Sequence, residues 1–351
     1  MRRTMAEVRI ALPSKGTLET PTLSFLQACG LHVDKINPRQ YTASMPAIPE
    51  AVVLFQRAAD IIEKVREGSA SLGITGYDIV AEMKEKGDPI VVLHPKLGYG
   101  QCRLVVAVPD SWIDVLSMDD LADVALIMRE KGKTLRVGTK FPNLTRDFFQ
   151  RKGIIHYTIV GSEGAIEAGP SIGYADIIVD LTSSGITLRD NRLKQVIGGE
   201  VLQSQACLIG NRQALQHDPA VLDAAQLILE LIDGYLAARG YCSVFANIYA
   251  DSAAEAAQRV LAQPGVSGLK GPTVSEVYTH AAMGGRCFAV HVTIQKDRIY
   301  QAVHQLRKAG CVSITVMPVN YVFADTSPSY QRLLRKLRRG EEEGEPAEAD
   351  N

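Results

Sequence analysis

From Asp180 to Leu188 the chain reads DLTSSGITL, which crowds one carboxylate, four hydroxyls and a glycine into a single short stretch. Backbone N–H groups and small hydroxyls can cradle a phosphate where a glycine relaxes the dihedral constraint. The apolar run at 175–179 reads as a buried strand, which would deliver this turn to the carboxyl end of a parallel sheet, where ligands bind. The same composition also suits a capped helix start with nothing bound.

The wider spacing separates these readings. Glu167, Gly173, Ala175, Asp180, Ser184-Gly185 and Thr187-Leu188 resemble, position by position, the signature of the ATP phosphoribosyltransferases, which open histidine biosynthesis. Residues 10–16 (IALPSKG), 72–78 (LGITGYD) and 137–145 (VGTKFPNLT) are similar to further segments of that family, in the same order. The resemblance spans roughly residues 8–212, and a looser one to the regulatory domain of the family's long form continues to about residue 325.

The resemblance implies displacement of pyrophosphate from 5-phosphoribosyl pyrophosphate by N1 of ATP, with inversion at the anomeric carbon and no enzyme nucleophile. The protein would have to align two polyanions, neutralise the leaving pyrophosphate and shield an oxocarbenium-like centre from water. Mg²⁺ carried on the pyrophosphate is the implied cofactor, with no metal held by protein alone. Carried over residue by residue, Thr182, Ser183, Ser184, Gly185 and Thr187 would hold the ribose 5-phosphate, and Glu167 joins this substrate-binding set. Asp180 would accept from the ribose hydroxyls, helix capping being its other use. Lys15, in a glycine-containing loop after the first strand, and Arg57, ahead of Asp60, are candidate cations for the pyrophosphate and triphosphate; a surface role stays open for Arg57. Lys15 and Asp180 are thus the catalytic candidates. Lys140, with Phe141 and Pro142, matches a segment lining the family's cleft. Thr17 stands where the family commonly has Arg, Ile62 where it has Pro, and Arg192 where it often has Gly.

Composition limits the alternatives. Lys plus Arg number 38 against 39 Asp plus Glu, so no global field draws the chain to nucleic acid or an anionic membrane. Six cysteines are scattered without a C-x-x-C pair, and they read as reduced residues of a cytoplasmic protein. The seven histidines show no metal-binding spacing. No apolar run is long enough for a membrane span, and the first residues do not form an export signal. That last reading weighs against the main rival, a two-lobed solute receptor.

At 351 residues the chain can bury two or three cores. Strand-like runs alternate with amphipathic helices over the first two hundred residues, the pattern of a parallel α/β sheet. Thr20-Pro21 reads as an N-cap followed by the first helical position, Thr75-Gly76 as a loop, 77–86 as a helix and Ser117 with Asp120 as a capping box. The expected fold is α/β: a two-lobed, periplasmic-binding-protein-like catalytic core plus a C-terminal ferredoxin-like βαββαβ regulatory domain. Lobe I would take residues 1–107 and 200–240, lobe II residues 108–199, the regulatory domain residues 241–325, and a charged tail residues 326–351. Thr273 and Ser275 lie where the segment 271–275 resembles the long-form domain that binds histidine, so the resemblance implies an allosteric role for them. It also implies ATP and 5-phosphoribosyl pyrophosphate as substrates, histidine as inhibitor, and a homo-oligomer from dimer to hexamer.

Overall fold

The computed structural model describes residues 7–35, 37, 40–85, 87–161, 165–266, 268–278 and 285–338. Expectations touching Lys86 and the part of the charged tail after residue 338 lie outside the described residues. The chain divides into two units, residues 1–227 with 332–351, and residues 228–331.

The first unit holds two sheets. β1 (Val8–Pro13), β2 (Thr42–Ser44), β3 (Ala51–Gln56), β4 (Leu72–Gly76) and β5 (Ile90–His94) enter one sheet. β6 (Cys102–Pro109), β7 (Leu135–Thr139), β8 (Tyr157–Val160), β9 (Ile177–Thr182) and β10 (Leu193–Ser204) form the other, after which β11 (Ala206–Asn211) returns to the first. The orders are β2-β3-β1-β4-β11-β5 and β10-β6-β9-β7-β8. β1 runs parallel to β3 and β4, and β7 parallel to β8 and β9. Strands covered on both faces must be continuously apolar, and Leu104 to Val108 of β6 are all fully buried.

Several local expectations shift. β6 belongs to the second sheet and β10 stays in it to Ser204, so the lobes exchange at 95–101 and at Gln205 rather than at 107 and 199. Thr75 and Gly76 are strand, because β11 pairs opposite them. The first helix is Glu19–Ala28, with the Thr22 amide on the Leu18 carbonyl at 2.9 Å, so Thr20 sits in the first turn and caps nothing. The helix expected over 77–86 is Tyr77–Glu82. β9 runs two residues beyond Asp180, because β6 continues its register as far as Arg103 opposite Thr182. The capping box is present: Ser117 Oγ accepts from the Asp120 amide at 3.2 Å, and the Asp120 carboxylate accepts from the Ser117 amide at 2.8 Å.

The second unit contains β12 (Tyr241–Tyr249), β13 (Thr273–Val277), β14 (Cys287–Gln295) and β15 (Cys311–Pro318), in the order β13-β14-β12-β15 and antiparallel throughout. Helices Ala253–Leu261 and Ile299–Lys308 complete the βαββαβ order. β12 alternates: Cys242, Val244, Ala246 and Ile248 join the core with Phe288 and Leu306, while Phe245 and Tyr249 are exposed.

The basic part of the expected tail forms a helix, Pro328–Arg338. Its end re-enters the first unit, where Leu333 and Leu337 are 1 % and 9 % exposed. Lys336 Nζ donates to the Val92 carbonyl at 3.0 Å, and Gln216 Nε2 to the Leu337 carbonyl at 3.0 Å.

Candidate active site

Parallel strands bring their carboxyl ends to one edge, so β1, β3 and β4 present their following loops together. The Ser14 amide donates to the Gln56 carbonyl at 2.8 Å, which ties the loop after β1 to the end of β3 and puts Lys15 and Arg57 on neighbouring strand ends. Both side chains are exposed, and neither has a hydrogen-bond or ion-pair partner among the described residues. Arg57 holds an extended backbone as the residue before helix Ala58–Arg66, and its carbonyl takes the Ile61 amide at 3.1 Å.

The second sheet gathers the acidic and hydroxyl groups. Thr139 of β7 lies opposite Val179 of β9, so Lys140 and Asp180 follow at one level. Asp180 is half-buried, and burial pushes its carboxyl above the ordinary carboxylate range; the Leu181 amide, donating at 2.8 Å, pulls it back. The charge of Glu167 raises it further and that of Lys140 lowers it. Glu167, Lys140 and Asp180, dispersed in sequence, therefore share one electrostatic environment.

The turn after β9 is held from within. Thr182 is buried, and its Oγ1 accepts from the Gly185 amide at 2.9 Å; Ser184 Oγ accepts from the Ile186 amide at 3.4 Å. The Gly185 amide expected to face a phosphate is thus engaged by Thr182, which closes the turn. Ser183 and Thr187 are exposed, with no side-chain hydrogen bond among the described residues. Gly185 has φ +73°, in the left-handed region, and a Cβ there would meet nothing within 4 Å.

Three groups that sequence reasoning passed over join the lobes. The buried Asp78 carboxylate accepts from Ser204 Oγ at 2.6 Å, beside the Gln205 crossover. Gln205 Oε1 accepts from the Gly98 amide at 2.8 Å, which links the two crossover segments. Glu82 of the first lobe accepts from the Asn143 and Leu144 amides of the second at 2.8 and 3.0 Å. The only sequence signal for the last is that Phe141-Pro142 opens a helix without a capping side chain.

In the second unit, Thr273 pairs with His291 and Ser275 with Ala289, which sets both on the sheet face opposite the helices. His291 also pairs with Phe245; the two rings stack at 4.3 Å, and Ser243 Oγ lies 3.1 Å from His291 Nε2. Thr273, His291 and Phe245 form one row across that face. Among the described residues no three His, Cys, Asp or Glu side chains are grouped to hold a metal ion, and no helix is long and apolar enough to cross a membrane.

Family comparison fits this layout. The family model described as ATP phosphoribosyltransferase matches residues 57–234, and that described as HisG, C-terminal domain, matches residues 238–321. ATP phosphoribosyltransferase 1, chloroplastic, of Arabidopsis thaliana is 39% identical over 335 residues, 94% of this chain and 81% of that protein. The chain belongs to the ATP phosphoribosyltransferase family. The second match makes it a long-form ATP phosphoribosyltransferase, a pentosyl transferase of histidine biosynthesis. The ATP phosphoribosyltransferase of Bradyrhizobium diazoefficiens is 36% identical over 334 residues, 94% of this chain and 98% of that protein. Among solved structures, the ATP phosphoribosyl transferase (HisG:HisZ) complex from Thermotoga maritima has a TM-score of 0.47 at 23% identity, covering 64% of this chain and 98% of that one.

Two departures from the family pattern have a structural setting. Ile62 is fully buried inside helix Ala58–Arg66. Arg192 holds φ +56°, the conformation glycine adopts most freely, and its carbonyl takes the Asp110 amide at 2.9 Å. Thr17 is exposed in the loop after Lys15.

Proposed function

We propose that this transferase places 5-phosphoribosyl pyrophosphate on the turn after β9 and ATP against the cations of the first lobe, and that histidine inhibits it from the second unit. The bond from the anomeric carbon to N1 of adenine forms as the bond to pyrophosphate breaks. Pyrophosphate leaves with the electron pair, and the adenine amino group sheds a proton to solvent. No covalent enzyme intermediate is needed, so the protein acts by alignment and electrostatics.

The observation that carries this reading is the β7–β9 register, which sets Lys140 level with Asp180 just ahead of the Thr182–Thr187 hydroxyls. Ser183, Ser184 and Thr187 would donate to the 5-phosphate, with Thr182 and Gly185 shaping the turn. Asp180 would accept from the ribose hydroxyls, and its charge, favoured by Lys140, would stabilise the cationic sugar. Lys15 and Arg57, without side-chain partners among the described residues, would take the pyrophosphate and triphosphate. Mg²⁺ would arrive on the pyrophosphate and neutralise part of its charge; Glu167 and Asp180 supply the carboxylate oxygens such an ion accepts.

The test is incubation of purified protein with ATP and 5-phosphoribosyl pyrophosphate, with and without Mg²⁺, followed by mass analysis. Phosphoribosyl-ATP should form only with the metal. Folded protein that makes no adduct, even with pyrophosphate removed, would count against the reading.

The hydroxyls of Thr273 and Ser275 on the uncovered sheet face would receive histidine, which must favour a less active state to inhibit; a coupling of about 1–3 kcal/mol is typical. Exposed Phe245, Tyr249 and Met317 suit assembly of a homo-oligomer, from dimer to hexamer. Light scattering with and without histidine reads the assembly. Histidine inhibition undiminished in Thr273→Ala would place the sensor elsewhere.

A further inference from the structure

The helix Pro142–Arg151 opens on residues that cannot cap it. Its N-cap is Phe141, which makes no side-chain capping bond, and Pro142 at the start has no N–H to offer. The Asn143 and Leu144 amides must find acceptors elsewhere. Both find Glu82, the Asn143 amide on Oε1 at 2.8 Å and the Leu144 amide on Oε2 at 3.0 Å, while Asn143 Nδ2 donates to the Glu82 carbonyl at 3.0 Å.

Glu82 ends the helix that follows β4 in the first lobe, whereas the helix it caps follows β7 in the second. The cap therefore exists only at a lobe orientation that brings these helices together. A serine or aspartate at the N-cap would satisfy the same amides without that condition. Glu82 is 8 % exposed, and burial raises its pKa against the pull of the two amides, so this cap carries a desolvation cost that an exposed local one would avoid.

The capped turn also carries Lys140. The Phe141 amide donates to Thr139 Oγ1 at 3.0 Å, and Thr145 Oγ1 donates to the Phe141 carbonyl at 2.7 Å. These bonds fix the path from β7 into the helix, so the Lys140 turn moves with the helix and its sheet as one piece, while the β7–β9 register keeps Lys140 level with Asp180.

We propose that Glu82 is a positioning residue for the transfer reaction: a helix cap supplied by the opposite lobe, which holds the two lobes at the orientation that presents the Lys140 turn to the strand ends carrying Lys15 and Arg57. The inference rests on the assignment of Lys140 to the substrate site. Glu82→Ala, Lys140→Ala and the double variant separate the two, with kcat and KM measured for both substrates and folding followed by thermal melting. Glu82→Ala should lower kcat/KM by about tenfold, the scale of one charge-assisted hydrogen bond. Adding it to Lys140→Ala should cost no more than about a further twofold, because Glu82 acts through the turn that Lys140 occupies. Glu82→Gln, which keeps one oxygen acceptor, should recover part of the loss.

A double variant whose loss is the product of the two single losses, or an unaltered kcat/KM in Glu82→Ala, overturns the inference and leaves the role of Lys140 standing. A native rate in Lys140→Ala removes that role and this inference with it. Should Glu82→Ala fail to fold, the same cycle with Glu82→Gln decides between these outcomes.

Discussion

Gly185 and Gly153 share a backbone conformation and differ in what lies beside them, which allows strain to be separated from binding. Both have φ of +73°, and at neither would a Cβ meet a heavy atom within 4 Å. Valine at either position must hold the left-handed conformation at a cost of about 1–2 kcal/mol, and the β-branch adds to it. No clash contributes, so Gly185→Val and Gly153→Val should unfold at closely similar urea concentrations. Gly153 follows the carboxyl end of helix Pro142–Arg151, with its amide on the Gln150 carbonyl at 3.1 Å, whereas Lys140 lies at the other end of that helix. Gly185 instead lies between Ser184 and Thr187, where the proposed site would bring phosphate oxygens close to the backbone. A side chain there should remove at least one charge-assisted hydrogen bond, about 1.5–3 kcal/mol. Titration calorimetry should then show the Kd for 5-phosphoribosyl pyrophosphate raised at least about tenfold in Gly185→Val and unchanged in Gly153→Val. Equal affinities in two folded variants would refute the placement of the phosphate on this turn.

Other substitutions test other parts of the structure. Asp180→Asn should abolish phosphoribosyl-ATP formation and yet stabilise the fold at neutral pH. Burial raises the pKa of the native carboxyl above the ordinary carboxylate range, so its protonation favours the folded chain at low pH and this contribution is lost as pH rises through the folded pKa. Urea unfolding across that window should show the variant gaining on the native chain with rising pH; a constant difference would contradict the raised pKa. Arg192→Gly should gain roughly 0.5–1 kcal/mol, as relief of left-handed strain exceeds glycine's entropy cost, and an unchanged urea midpoint would argue against strain there. Leu333→Ala should cost about 2–5 kcal/mol in the unfolding of the first unit, since Leu333 is 1 % exposed. A cost within about 0.5 kcal/mol, as for a surface residue, would mean the helix is not docked in solution. Ending the chain at residue 240 would remove this helix together with the proposed sensor, so a point change at Thr273 is the cleaner test of histidine sensitivity.

Features set by neighbours in sequence were legible in the sequence. Ser117 and Asp120 are three residues apart, and their reciprocal cap needs only a helix to close. β12 and the helix Ala253–Leu261 show in their own residues, because alternation and a 3.6-residue period are local records of which face is buried. The stretch after β9 announced a turn rich in hydroxyls for the same reason. What depended on distant partners could not be read. The extension of β9 past Asp180 was decided by β6, and the exchange of lobes at Gln205 by which sheet β10 and β11 could join. The place of β3 is set by its parallel pairing with β1, whose residues lie some forty positions earlier. Glu82 gave no local sign of its role, since its partners lie 61 and 62 residues away and meet it only once both lobes have folded. The sequence by itself determined the chemistry available at each strand end and the family to which the chain belongs. Only the tertiary structure decided which of those groups share a field, because the pairing of strands, not their order, sets the distance between charges.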